Sequence, residues 1–305
     1  MNTQTIGASQ VLLAGVLWGT SGTIASLFPH SASSLSIAAA RLAIGSAALL
    51  VFLMLEKRSQ PFARAPRIPF PLLAISAVGM AVTQVALFLS VRLAGVTVAT
   101  MIFIGSSPLF GGLLSILFRK ERQTRSWMVS SLIVAVGCLG MAFSETFARN
   151  GSVVQSRLLL GSLTALTAGF GWALVGNCIK TLHTYASPLK SSAIVMSAGS
   201  VVLLPLAAFG GFGWLAQPGS LPLTLALGIV SAALPYLFFS LGMKRIPVAH
   251  AFLYGLIEPI TASLLGMLLL KERLNLTGMI GYGLVLAGLV LFSVWAERHT
   301  LEYHW

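Results

Sequence analysis

The chain has 305 residues, 56% hydrophobic and 9% charged, whereas a soluble domain carries about a quarter charged residues, so its composition indicates an integral membrane protein and excludes a soluble one. Its net charge of +12 comes from 19 basic and 7 acidic residues. The basic residues are dispersed through short loops and do not form a patch with aromatic residues, which argues against a nucleic-acid partner and favours the bilayer.

Ten apolar windows follow one another along the chain, and each is long enough to cross about 30 Å of hydrocarbon as a helix. They lie near residues 9–28, 34–55, 70–92, 96–118, 126–143, 158–181, 189–209, 221–243, 247–270 and 277–295. Prolines and charged residues mark the breaks between the windows. We therefore expect an all-α integral membrane protein with ten transmembrane helices, short loops and no soluble domain.

Basic residues are distributed unequally over the predicted loops. With a cytoplasmic N-terminus, the inside loops hold Lys57, Arg58, Arg64, Arg67, Arg119, Lys120, Arg122, Arg125, Lys180, Lys190, Lys244, Arg245 and Arg298. The outside loops then hold Arg92, Arg149, Arg157, Lys271 and Arg273. Because basic residues favour the cytoplasmic side, this excess predicts that both termini are cytoplasmic.

One helix pattern occurs twice in the chain, 151 residues apart. In the first copy Pro108 is followed thirteen residues later by Glu121, and in the second copy Pro259 is followed at the same spacing by Glu272. The copies fall in the fourth and ninth predicted spans. Because the ninth span comes five crossings after the fourth, an odd number, the second copy enters the bilayer from the opposite face, which is the arrangement of an inverted repeat.

Glu258 falls near the middle of a predicted span, where a carboxylate is costly and is a functional candidate by default. The following Pro259 cannot donate to the carbonyl of Gly255, so we expect the helix to loosen there and leave a polar backbone group beside the carboxyl. His250, Tyr254 and Glu258 are spaced by four residues and predict one stripe facing the bundle interior. Two roles stay open for Glu258: it couples protons or binds a substrate amine, or it is a neutral, hydrogen-bonded carboxyl that holds the bend.

Aromatic and other soft side chains recur on several spans and predict the wall of a cavity. Trp18 and Trp172 each lie beside glycines, which suggests an open lining position. The alternative is that such side chains only pack between helices. The predicted cavity residues are Trp18, Met80, Gln84, Phe88, Met101, Phe103, Trp172, Asn177, Tyr236, Phe239, His250, Tyr254 and Glu258, and the predicted helix bends are Pro108, Pro235 and Pro259.

Arg41 lies several residues inside the second span, where an unpaired charge is costly. We expect it either to bind a substrate carboxylate or to tie its helix to a backbone carbonyl. Gly15 and Gly19 are spaced for a close contact between helices. Cys138 and Cys178 lie in apolar stretches and predict neither a disulfide framework nor a metal site.

The paired prolines and glutamates, with Arg41 and the Trp18-Gly19 pair, resemble the drug/metabolite transporter superfamily. The similarity covers essentially the whole chain and is to the ten-helix EamA-type branch, which includes bacterial exporters of amino acids. It implies two inverted five-helix repeats, residues 1–147 and 148–305, around a central cavity in the bacterial cytoplasmic membrane. It also implies that Glu121 and Glu272 are structural. Arg41 matches the arginine of the family's second helix, but its basic partner near position 192 is absent here.

These features favour a secondary transporter that exports amino acids, with aromatic and other hydrophobic ones favoured, together with related metabolites or drugs. The alternative is an uncoupled facilitator or channel-like pathway for small metabolites, which the sequence does not separate from an exporter. The patterns HExxH and GxSxG and a phosphate-binding loop are absent from the sequence, which argues against an enzyme. We expect no cofactor and no metal, a small-molecule substrate, contact with the lipid bilayer, and a monomer as a plausible state.

Overall fold

The computed structural model describes residues 3–29, 31–57, 67–147, 152–269 and 276–302, which are almost entirely helical. Their α-helices are α1 (Thr3–Ala25), α2 (Ser34–Lys57), α3 (Phe70–Ala94), α4 (Val96–Arg119), α5 (Arg125–Phe147), α6 (Ser152–Leu182), α7 (Pro188–Ala208), α8 (Ser220–Gly228), α9 (Leu234–Met243), α10 (Val248–Tyr254), α11 (Ile257–Leu269) and α12 (Leu276–Glu302). A 3₁₀ turn at Gly213–Ala216 precedes α8, and a π turn at Ile229–Ala233 joins α8 to α9. The second copy of the repeat ends at Lys271, Glu272 and Arg273, which lie outside the described residues.

Six stretches of the described chain are long and apolar enough to cross a membrane: Ser34–Glu56, Phe70–Ala94, Val98–Arg119, Ser156–Leu182, Pro188–Ala208 and Ser220–Met243. Shorter apolar helices cover Arg125–Gly140, Val248–Ala262 and Met279–Trp295. Each predicted window overlaps one helix or two consecutive ones, α8 with α9 for the eighth window and α10 with α11 for the ninth. The all-α prediction is confirmed, whereas the number of membrane crossings stays a prediction.

The outer surface of the bundle carries large apolar side chains. Phe209 is 94% exposed, Phe70 78% and Val201 72%. In water this surface would cost hydrophobic free energy, whereas in hydrocarbon it is favourable and the helices satisfy their own backbone hydrogen bonds. The surface is therefore that of a protein embedded in lipid.

Proline marks both irregular points in the second half of the bundle. Pro235 is the second residue after the π turn at Ile229–Ala233. Pro259 lies in the first turn of α11, just after the chain leaves α10. Pro108 differs, because α4 continues through it to Arg119.

The break between α10 and α11 is tighter than the sequence predicts. The Leu256 N–H donates to the Leu253 carbonyl at 3.1 Å, and the Glu258 N–H donates to the Gly255 carbonyl at 3.0 Å. In a regular α-helix the N–H of residue 259 would donate to the Gly255 carbonyl, but Pro259 has no N–H. The Glu258 N–H, three residues after Gly255, donates to this carbonyl instead. The expectation of a free polar backbone group at this carbonyl was wrong, because a 3₁₀-type hydrogen bond replaces the lost α-helical one.

Helix α1 packs closely on this break through two glycines. A Cβ at Gly15 would lie 2.3 Å from Ile257 Cγ2 and 3.0 Å from the Gly255 carbonyl oxygen. A Cβ at Gly19 would lie 2.5 Å from Thr261 Cβ. The predicted close helix contact at Gly15 and Gly19 is therefore confirmed, and it holds α1 against the segment that carries Glu258.

Candidate functional site

A cavity lies where α1, α4, α6, α9, α10 and α11 converge. It is partly open to its surroundings, and its empty space is about 320 Å³ when that open part is counted. Half of its lining residues are aromatic, and a carboxyl and a hydroxyl provide polar groups. The lining residues are Trp18, Phe103, Ile104, Ser107, Trp172, Phe239, Phe252, Gly255, Leu256 and Glu258.

The aromatic rings of the wall pack on one another. The Trp18 and Trp172 ring centroids are 5.3 Å apart and edge to face. The Phe239 ring is 5.2 Å from Trp18 and 5.7 Å from Trp172, stacked on the latter. The Phe252 ring also belongs to this group, with its centroid 5.8 Å from that of Phe239 and 6.1 Å from that of Trp172. Such pairs stabilise one another by about 0.5–1.5 kcal/mol beyond their burial, so the wall is a preformed aromatic surface.

Two pairs of lining residues occupy equivalent positions of the sequence repeat. Ser107 and Glu258 are 151 residues apart, and so are Ile104 and Gly255. Both members of each pair meet at the same cavity although they lie on different halves of the chain. Among the lining residues that the structure describes, Glu258 is the one with an acidic or basic side chain. The described part of the lining therefore offers a substrate one carboxyl group among aromatic faces.

Five of the predicted cavity residues line this space: Trp18, Phe103, Trp172, Phe239 and Glu258. Tyr236 and Met80 lie directly behind the wall. The Tyr236 ring is 5.6 Å from both Trp18 and Trp172, and its hydroxyl donates to Met80 Sδ at 3.6 Å. Both side chains are buried, so they support the wall from behind.

Other predicted residues on α3 and α4 lie away from the lining. Gln84 and Phe88 are half-buried on α3, and Phe88 packs on the hydrophobic core. Met101 is 8% exposed and belongs to the same core. Phe88 and Met101 therefore pack between helices, and Gln84 is not among the described lining residues.

His250 and Tyr254 do not share the direction of Glu258. The His250 ring centroid is 4.9 Å from that of Phe292 on α12, and the Tyr254 ring is 5.2 Å from the same Phe292. The predicted stripe of His250, Tyr254 and Glu258 was wrong because it assumed one continuous helix. The chain ends α10 at Tyr254 and starts α11 at Ile257, so the angular relation across the break is lost.

Asn177 ties α6 to the end of α4. Its Nδ2 donates to the Ala173 carbonyl at 2.8 Å and to the Gly111 carbonyl at 3.4 Å. Its Oδ1 accepts from Arg119 Nη2 at 2.5 Å, and Arg119 Nε pairs with Glu121 Oε1 at 2.7 Å. The amide is therefore used for packing between helices, outside the cavity lining.

Sequence reasoning missed Phe252. This side chain is 4% exposed and its ring fits between two glycines, since a Cβ at Gly111 would lie 2.4 Å from it and a Cβ at Gly176 2.7 Å. A signal was available, because Phe252 is the repeat equivalent of Met101, which was predicted to line the cavity. The two copies therefore differ at this position, because Phe252 lines the cavity whereas Met101 packs in the core.

Polar contacts join the helices at the end of the bundle that holds Asn177. Lys180 Nζ donates to the Met243 carbonyl and, at 3.0 Å, to the Ile246 carbonyl. His183 Nε2 lies 2.8 Å from Ser240 Oγ, whose hydroxyl donates to the Pro188 carbonyl at 3.0 Å. These bonds join the end of α6 to α7, to α9 and to the connection between α9 and α10.

The position of His183 predicts that the stability of the protein depends on pH. Burial, and then the positive charges of Lys180 and Lys244, lower the pKa of His183 to about 4, from about 6.5 in an unfolded chain. Because only the unfolded state takes up the proton between these values, stability present above pH 6.5 is lost as the pH falls toward 4. We expect the unfolding temperature in detergent to fall less steeply over this window in His183→Gln than in the unmodified protein. Identical slopes for the two proteins would contradict this assignment.

An apolar helical bundle around an aromatic and acidic cavity is the architecture of a membrane transport protein. The sequence profile of the EamA-like transporter family matches the chain twice, over residues 5–143 and 159–294. The uncharacterized transporter YwfM of Bacillus subtilis is 32% identical over 93% of this chain and 92% of its own length. The threonine/homoserine exporter RhtA of Escherichia coli K12 is 27% identical over 91% of this chain and 87% of its own. A solved crystal structure with 16% identity shares the fold, with a TM-score of 0.78 over 96% of this chain and 98% of that chain.

The chain belongs to the EamA-like transporter family of the drug/metabolite transporter superfamily. The family resemblance drawn from the sequence is confirmed. The protein is a multi-pass membrane transporter, and its family consists of transporters of small molecules, which are not enzymes.

Proposed function

We propose that the protein is a secondary exporter of amino acids, favouring aromatic and other hydrophobic ones together with related metabolites or drugs. The observation that carries the proposal is the cavity itself, with Trp18, Trp172 and Phe239 around the single carboxyl of Glu258. Aromatic faces bind apolar side chains and attract cationic groups, and a carboxylate attracts an amine. The name of the relative RhtA, a threonine/homoserine exporter, supports an amino-acid substrate.

The transport cycle in this proposal uses ten crossings arranged as two inverted five-helix repeats, residues 1–147 and 148–305. Two findings support it: the family profile matches each half once, and the equivalent residues Ser107 and Glu258 meet at one cavity. In such repeats the two halves rock about a central site, so the cavity opens to either side in turn. Pro108, Pro235 and Pro259 are the points where the helices would flex.

The polar contacts around Arg119, Asn177 and Lys180 close one end of the cavity in this scheme. The distribution of basic residues predicts that this end is cytoplasmic, as are both termini, in a bacterial inner membrane. Rocking of the halves would have to separate Arg119, on the first half, from the Asn177 side chain, on the second half. The scheme needs no cofactor.

The proposal is tested by efflux from proteoliposomes loaded with labelled phenylalanine, leucine, threonine or glutamate, with and without an imposed pH gradient. Efflux of phenylalanine and leucine that the gradient accelerates would support a proton-linked exporter. Selective efflux that ignores the gradient would indicate the facilitator. Absence of efflux for every amino acid would overturn the amino-acid assignment.

Trp172→Ala should weaken the binding of aromatic substrates. Its ring is the wall member that contacts Trp18, Phe239 and Phe252 together. Loss of one stacking partner and its apolar area should raise the KM for phenylalanine about tenfold and that for threonine less. Phe170→Ala on the same helix is the control, because Phe170 is 41% exposed and contacts Phe110 instead of the cavity. Equal effects of the two variants, or equal effects on both substrates, would contradict the prediction.

A further inference from the structure

We propose that Arg41 is a positioning residue for the cavity wall. By binding the Ser231 carbonyl it holds the π turn that sets the direction of Tyr236 and Phe239. The proposal rests on the proposed transport function for its kinetic consequences. Its structural part concerns a contact between α2 and the π turn, 190 residues apart along the chain.

The Ser231 carbonyl lies four residues before Pro235. In an α-helix the N–H of residue 235 would donate to this oxygen, but proline has no N–H. Arg41 Nη2 lies 2.5 Å from the Ser231 oxygen and donates to it. A side chain of another helix thus supplies the donor that Pro235 withholds, and a charged donor makes a stronger bond than an amide.

The π turn decides which way the following side chains point. It inserts one extra residue into the helix, and one residue corresponds to about 100° of rotation about a helix axis. Tyr236 and Phe239 come directly after the turn, and their rings lie 5.6 Å and 5.2 Å from Trp18. If the turn relaxed to a regular α-helix, these rings would rotate away from Trp18 relative to α8.

Two glycines fix the reach of Arg41 to this turn. A Cβ at Gly45 would lie 2.9 Å from the Gly228 carbonyl oxygen, and a Cβ at Gly228 would lie 2.5 Å from Ile44 Cγ2 and 3.3 Å from the Arg41 carbonyl oxygen. The backbones of α2 and α8 therefore cross in near contact one turn away from Arg41. This crossing brings Arg41 close enough to the π turn for its guanidinium to reach the Ser231 carbonyl.

The hydrogen bond that the structure shows for the Arg41 guanidinium is the one from Nη2 to the Ser231 carbonyl. The Nε of this side chain is buried and has no hydrogen-bond partner among the described residues, and Arg41 is absent from the described lining of the cavity. Of the two roles that the sequence allowed, the tie to a backbone carbonyl is the one that the contacts support. Glu258 and Tyr236 lie within range of the Arg41 charge, so an electrostatic effect on Glu258 is the competing account.

A double-mutant cycle with Arg41→Met and Pro235→Ala separates these accounts. Pro235→Ala supplies an N–H at residue 235, which in α-helical geometry donates to the Ser231 carbonyl, so Arg41 should matter less in that background. We expect Arg41→Met to raise the KM for labelled phenylalanine about tenfold in the unmodified protein and less than about threefold in Pro235→Ala, with a smaller change in maximal efflux. Arg41→Lys, which keeps the charge and one donor, should recover part of the loss.

Effects of Arg41→Met that are equal in the two backgrounds would overturn the proposal and favour the charge acting on Glu258. The same four proteins are compared by their unfolding temperature in detergent, which Arg41→Met should lower more when Pro235 is present than in the Pro235→Ala background. If the unmodified protein moves no phenylalanine, the proposed function fails, but this second cycle still decides the inference. Additive shifts in unfolding temperature would overturn it.

Discussion

Glu258→Gln should abolish the acceleration of efflux by an imposed pH gradient while leaving slow, gradient-independent efflux. The amide keeps the shape and hydrogen-bonding capacity of the side chain but cannot take up or release a proton. Because Glu258 is the acidic group of the described cavity lining, it is the candidate for coupling protons to the substrate. The measurement is efflux of labelled phenylalanine from proteoliposomes, at equal pH and with an imposed pH gradient.

Glu56→Gln is the matched control. This substitution makes the same chemical change at the exposed end of α2, far along the chain from the cavity residues, and should leave the gradient response intact. A Glu258→Gln protein that still responds to the gradient would show that Glu258 does not couple protons. In that case the carboxyl would serve to bind a substrate amine or to hold the bend before Pro259.

Gly15→Leu should disrupt the fold around the site more than any surface change. Its side chain would meet Ile257 and the Gly255 carbonyl, which belong to the break between α10 and α11. Forcing α1 away from this break costs about 3 kcal/mol on the scale of overpacked cores, and it would displace both Trp18 and Glu258. We expect a lower unfolding temperature in detergent and little efflux.

Gly22→Leu tests whether the effect comes from this contact and not from a leucine in α1. Gly22 lies on the same helix, is exposed, and a Cβ there would meet nothing within 4 Å. The substitution should leave stability and efflux close to those of the unmodified protein. Similar losses in Gly15→Leu and Gly22→Leu would mean that the close approach of α1 is not what limits stability.

The sequence predicted those site residues whose signal is local. Glu258 stands out because an acidic residue is costly within an apolar span, and Trp18 and Trp172 stand out because glycines flank them. The duplicated pattern likewise predicts that Ser107 and Glu258 are equivalent, and the structure brings both to one cavity. Composition alone was sufficient for the membrane class, because soluble domains carry a much larger share of charged residues.

Predictions that extrapolated a regular helix failed where the helix is irregular. His250 and Tyr254 turn toward Phe292 because the chain breaks at Gly255, and the spacing rule holds only within a continuous helix. The role of Asn177 depended on its neighbours on another helix. An amide near the end of a span can either line a cavity or form hydrogen bonds with an adjacent helix. In this structure the Asn177 amide accepts a hydrogen bond from Arg119 and donates one to the Gly111 carbonyl.

The sequence by itself determined the membrane class, the family, the repeat and the residues with an intrinsic cost in lipid, since these depend on composition and spacing along the chain. Only the tertiary structure decided which aromatic rings share the cavity and which backbone carbonyl Arg41 binds. The reason is physical: the bond from Arg41 to the Ser231 carbonyl joins residues 190 positions apart. Pro235 creates the need for that bond locally, but its donor is supplied by the packing of another helix.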